Sequence, residues 1–176
     1  MLIRAFLRLT TLSCAAALCL PAQSPSPAAE VKQAYNSVKN NMLKAADKVS
    51  ETDYSFKATP DIRSFGELIG HVADAQTRTC SNLNGAQKQA TAASKTAKAD
   101  LVAALKDSFA ECDKAYDAIT DANALEGVSA GRGGQRTRAA VLWGNVVHDN
   151  EMYGYMSVYM RLKGVVPPSS EGRGGR

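Results

Sequence analysis

The stretch "LVAALKDSFAECDKAYDAI", Leu101–Ile119, decides how this chain folds. Its Leu101, Leu105, Ser108, Cys112, Ala115 and Ile119 recur at alternating steps of four and three, the stripe that one face of a helix turns toward a core. The same alternation carries Val31, Tyr35, Val38, Met42, Ala45 and Val49, which predicts an earlier helix. Between them, "SFGE" offers Ser64 as N-cap and Glu67 three residues later. That capping box starts another helix, with Phe65, Leu68, Ile69, Val72 and Leu83 on its apolar side. A last helix is expected from about Thr137 to Leu162, ended by Gly164 and Pro167–Pro168. No segment reads as a convincing β-strand. The expected fold class is all-α, a four-helix bundle.

The first residues stand apart. "MLIRAFLRLTTLSCAAALCLPAQ" has Arg4 and Arg8, an apolar run from Leu9 to Leu20, then Pro21 and small residues. This is the pattern of a secretory signal peptide, too short for a spanning helix. Cys14 after "TLS" only loosely resembles a lipoprotein processing site. The expected layout is a signal peptide over 1–22, a linker over 23–30, the bundle over 31–168 and a flexible tail over 169–176. Cleavage would remove two of the 21 basic residues and none of the 17 acidic ones, lowering the net charge from +4 to +2. Nothing in that balance argues for nucleic-acid binding, and no stable membrane span is expected after cleavage. The glycine-rich "GRGGQRTR" and "EGRGGR" lack the lysine and preceding strand of a phosphate-gripping loop.

Of four cysteines, Cys80 and Cys112 would survive cleavage. In an exported, oxidising compartment two thiols are most simply a disulfide; two buried thiols or a redox pair are the other readings. The disulfide, if formed, fixes the topology. The cysteines lie about 16 and about 15 residues into their helices, so an antiparallel hairpin would leave them roughly 15 Å apart. A disulfide spans only ~4–7 Å between Cα atoms. Parallel helices bring the pair level, and "GAQKQATAASKTAK" (Gly85–Lys98) is long enough to cross over, reaching roughly 45 Å when extended. The expected order is up-down-down-up, with the long connection between the second and third helices.

On the fourth helix, spacing places Val141, Asn145, His148, Met152, Tyr155, Tyr159 and Leu162 on one stripe. Asn145, His148 and Tyr155 are polar groups on an expected core face, which suggests a pocket or a bonded network. His71, the only other histidine, flanks the stripe of the second helix and falls at a compatible height. Asp149 and Glu151 are expected to project off the His148 face. A histidine on an apolar face is often a satisfied core residue, and a methionine usually core filler.

"RSFGELIGHVADAQ" (63–76) and "HDNEMYGYMSVYMRLKGVVPPSS" (148–170) resemble the DinB-like superfamily, particularly its exported bacterial members. The resemblance implies the same up-down-down-up bundle. It also implies a divalent metal (nickel, zinc, iron or manganese) held by one histidine of the second helix and an H-x-x-x-H pair of the fourth. His71 and His148 match two of those ligands; the third position holds Met152. A thioether suits such ions poorly, so the resemblance implies a degenerate His71, His148, Met152 site: a weakened divalent site, a copper(I) site, or no metal at all. As an enzyme the chain would perform metal-assisted transferase or hydrolase chemistry, with Asn145 or Tyr155 lining the pocket. As a non-catalytic protein it would bind a small molecule, or serve as a structural, homodimeric bundle with a vestigial site. The sequence leaves the choice between enzyme and binder open.

Overall fold

The computed structural model describes residues 26–130 and 134–172. The expected signal peptide, residues 23–25 of the linker and residues 173–176 of the tail lie outside the described residues. Four helices dominate: α1 (Pro27–Lys48), α2 (Phe65–Leu83), α3 (Lys98–Ala118) and α4 (Arg138–Leu162). Helix α1 begins ahead of its apolar stripe. Pro27 sits in the first turn, Ser26 caps Ala29 N, and Asp121 at the far end of α3 accepts from Ser26 Oγ and Ala28 N. The capping box of α2 is present: Glu67 N donates to Ser64 Oγ at 3.1 Å and Ser64 N to the Glu67 carboxylate at 2.6 Å. Gly164, at φ +71°, ends α4 in the left-handed conformation that glycine adopts without a steric penalty.

Contacts along each helix fix its direction. Gly66 near the start of α2 lies against Leu101 near the start of α3, and Cys80 is bonded to Cys112 farther along both, with Cα atoms 4.9 Å apart. These two helices are therefore parallel. Lys32 pairs with Asp117 and Lys106 with Asp47, which sets α1 antiparallel to α3. Tyr159 Oη donates to the Arg63 carbonyl at 2.7 Å, which sets α4 antiparallel to α2. The bundle is up-down-down-up.

The crossover is pinned rather than loose. The buried Asp74 carboxylate accepts from Ala92 N at 2.6 Å and Ala93 N at 3.0 Å. Gly70 lets this backbone approach, since a Cβ there would stand 3.0 Å from the Ala92 carbonyl oxygen. Inside the bundle, Tyr35 and Tyr116 stack at 3.7 Å between ring centroids.

One element was not expected. Gly127–Ser129 (β1) pairs antiparallel with Gln135–Thr137 (β2). Three residues per strand are too few to show alternation, and both strands are mostly solvent-facing, so no apolar pattern announces them. The hairpin delivers Thr137 as the N-cap of α4, its Oγ1 accepting from Ala140 N. At the other end, Pro168–Ser170 forms a short 3₁₀ turn. Tyr153 Oη accepts from Ser169 N, Arg161 donates to Ser170 Oγ, and Lys48 pairs with Glu171, so the residues expected to open the tail are bonded to α1 and α4.

The buried face of α4 follows the expected stripe at Val141, Asn145, Met152 and Tyr159 and departs from it elsewhere. Leu142, Asn145, Val146, Asp149, Met152, Tyr153, Met156 and Met160 point inward, while Tyr155 and Leu162 are more than half exposed. Apolar residues surround this helix, so periodicity alone does not tell its inside from its outside.

Candidate metal centre

His71 on α2 and His148 on α4 meet across the bundle. Their Nε2 atoms are 3.1 Å apart, with ring centroids at 5.1 Å and planes inclined by 56°. The antiparallel setting of α2 and α4 sets their relative height. Both rings are part-buried.

Behind His148 lies a group the sequence misplaced. Asp149 was expected to project away, but its side chain is fully buried. Its Oδ1 lies 3.4 Å from His148 Nδ1, and its Oδ2 accepts from Asn145 Nδ2 at 3.1 Å. Asn145 Nδ2 also lies 3.3 Å from Tyr116 Oη, which donates to the Leu142 carbonyl at 2.8 Å. A continuous polar chain thus runs from the core to the histidine pair. Adjacent residues on a helix point about 100° apart, and that offset, read on a misjudged face, hid Asp149. The apolar surroundings of Asp149 were the available signal, had the inner face been known.

Burial dominates the electrostatics of the site. Burial pushes the Asp149 carboxyl above the ordinary aspartate range, and hydrogen bonding and attraction to His148 oppose that. Burial also pushes His71 below the ordinary imidazole range, and Arg63, His148 and Arg78 act in the same direction. Two Nε2 atoms at 3.1 Å need one proton between them, because two lone pairs or two N–H groups would repel. A shared cation meets the same need. Two nitrogens bound tetrahedrally at ~2.0–2.1 Å to one ion stand about 3.3 Å apart, close to the observed spacing. A buried carboxylate on the second ring nitrogen is the usual support for a ligating histidine.

The third position is different. Met152 is buried in the hydrophobic core cluster, one turn beyond His148. Among the described residues, no group of three or more His, Cys, Asp or Glu side chains is placed to hold an ion. The residues present do not fit a three-nitrogen set: two imidazoles meet here, and the third position holds a thioether packed in the core.

Asn145 and Tyr155 are not brought together. Asn145 belongs to the buried chain, whereas Tyr155 faces outward with its hydroxyl 3.4 Å from Glu151 Oε1. Tyr155 instead lines a groove of about 750 Å³ with Ile62, Arg63, Glu67, Val158 and Tyr159. A second cavity, about 380 Å³, lies under the crossover beside Asp74, Ala92 and Glu111, and neither histidine lines either cavity. No helix among the described residues is long and apolar enough to cross a membrane.

Comparisons with known proteins agree with this architecture. Residues 34–156 match the DinB superfamily. A DinB-like protein of Bacillus cereus is 18% identical, with a TM-score of 0.66 over 78% of this chain and 93% of its own. A DinB-like protein of Bacillus subtilis is 22% identical, with a TM-score of 0.61 over 77% and 92%. At such identities the likeness speaks for the fold. No curated protein sequence matches the chain. With a match over most of its described helices, two similar folds and the up-down-down-up order, the chain belongs to the DinB superfamily.

Proposed function

We propose that this protein is an exported metal-binding bundle in which His71 and His148 hold one ion with reduced affinity and Met152 stands where a third nitrogen ligand would serve. The observation that carries this reading is the 3.1 Å approach of the two Nε2 atoms, backed by a fully buried Asp149 on His148. Asp149 holds the His148 ring so that Nε2 faces His71, and Asn145 fixes Asp149 in turn. A bound ion would supply Lewis acidity, polarising a substrate oxygen or lowering the pKa of a bound water or thiol. The groove beside Arg63 and Tyr155 offers a concave surface for a small substrate, with Arg63 available to an anionic group. Export rests on the N-terminal signal pattern and on the Cys80–Cys112 bond.

The test is metal content and affinity of the untagged mature chain, with zinc, nickel, manganese and copper(I), beside His148→Ala and His71→Ala. Stoichiometric binding lost in both variants supports the proposal, and the preferred ion decides between a weak divalent site and a copper site. Met152→His should then tighten divalent binding at least ~10-fold, since it supplies the third nitrogen. Wild-type binding no better than that of the variants overturns it. The groove then favours the second reading, metal-free binding of a small molecule, for which thermal stabilisation by small ligands without metal is the measurement.

A further inference from the structure

We infer that the cavity of about 380 Å³ under the crossover binds a free basic amino acid, one whose side chain ends in a second cation. Asp100, Ala104, Asp107 and Glu111 recur at steps of four, three and four, so α3 presents them on one face, and all four line the cavity. The crossover forms the facing wall and brings Lys88, Thr91 and Lys95. That wall is fixed at two places. Lys88 Nζ donates to Glu111 Oε2 at 2.7 Å, and the buried Asp74 carboxylate accepts from Ala92 N and Ala93 N. Walls already held in place lose little freedom when a ligand enters. The volume lies within the range of small-molecule sites, roughly 300–1,000 Å³.

The charges of the lining fall into two groups. Glu111 is satisfied by Lys88, Asn84 and Lys114, and Asp74 by two backbone N–H groups. Asp100, Asp107 and Lys95 make no ion pair among the described residues. Two unpaired carboxylates and one unpaired ammonium therefore line one cavity. The complement of that pattern is two cations and one carboxylate in a single small molecule, the set that lysine, ornithine and arginine carry. Their methylenes also have a place, because Ala103 and Ala104 lie between the two aspartates in the lining. Asp100 and Asp107 are about 10.5 Å apart along the helix. Extended lysine holds its two nitrogens roughly 7–8 Å apart, and a charge-assisted hydrogen bond of about 2.8 Å at each end covers the rest. Lys95 precedes Asp100 by five residues, so that end takes the carboxylate and α-ammonium, and Asp107 takes the side-chain cation. A linear polyamine, with cations alone, would set like charge against Lys95. An acidic amino acid would set carboxylates against both aspartates.

The experiment is titration of the mature, untagged chain with L-lysine at about 0.15 M salt, by calorimetry and by equilibrium dialysis of labelled lysine. Lys95→Met and Asp107→Asn run beside it, with circular dichroism to verify folding. Two further probes divide the ligand: L-norleucine lacks the side-chain cation, and cadaverine lacks the carboxylate. The wild type is expected to bind lysine at least ~10-fold more tightly than either probe. Asp107→Asn should weaken lysine at least ~10-fold and leave norleucine unchanged. Lys95→Met should weaken lysine by a similar factor without weakening cadaverine. No saturable lysine binding up to ~10 mM overturns the inference, as does lysine binding indifferent to either substitution. So does cadaverine or norleucine bound as tightly as lysine, since the cavity would then read one end of the ligand only. Both substituted side chains are exposed and neither histidine lines this cavity, so failure here leaves the metal titration untouched.

Discussion

Replacing Cys80 and Cys112 together with alanine should cost this bundle several kcal/mol. The bond joins residues 32 apart in sequence. Closing a loop of that length in the unfolded chain removes about 12 cal/mol/K of entropy, or about 3.7 kcal/mol at 25 °C. Both cysteines are fully buried, so the lost sulfur atoms add a packing penalty to the entropic one. For a chain of this size each kcal/mol moves the thermal midpoint by ~2–4 °C, giving an expected fall of ~7–15 °C. Thermal circular dichroism and urea titration of the oxidised protein and the double variant measure it. The double alanine variant is preferable to added reductant, because the native fold shields both sulfurs. An equal midpoint, within ~2 °C, would refute the reasoning. The link between parallel α2 and α3 would then carry no stability, and the crossover contacts at Asp74 would have to hold the topology alone.

Other expectations test separate parts. Asp149→Asn should weaken metal binding by about 10-fold in a competition titration, and unchanged affinity would separate the carboxylate from the site. Glu111, held by Lys88, Asn84 and Lys114, has its carboxyl pulled down to about 2. Its folded value lies below its unfolded one, so its contribution is present above the ordinary glutamate range and is lost as pH falls toward 2. Urea midpoints from pH 7 to 2.5 should therefore fall more steeply in the wild type than in Glu111→Gln; parallel curves would count against the ion pair. Gly70→Ala should destabilise by ~1–3 kcal/mol in urea, because its Cβ meets the Ala92 backbone; a neutral result would mean that the crossover yields easily.

The sequence by itself determined the helices and most of their ends. Val31 to Val49 and Leu101 to Ile119 each have a polar opposite face, so their spacing names the buried side, and those residues are buried. Ser64 with Glu67, and Gly164, are local signals satisfied within one turn and legible without any neighbour. Even the order of the helices followed from local text once Cys80 and Cys112 were joined. The tertiary structure alone decided α4. With apolar residues all round, this helix carries no internal sign of which face meets the core, and only the packing of α1 and α2 against it selects Leu142, Val146 and Asp149 over Tyr155 and Leu162. That choice buried Asp149 beside His148 and brought two histidines 77 residues apart to a single hydrogen-bond distance. Periodicity reports how a helix differs from water on two sides, and where both sides are apolar the neighbours hold the information.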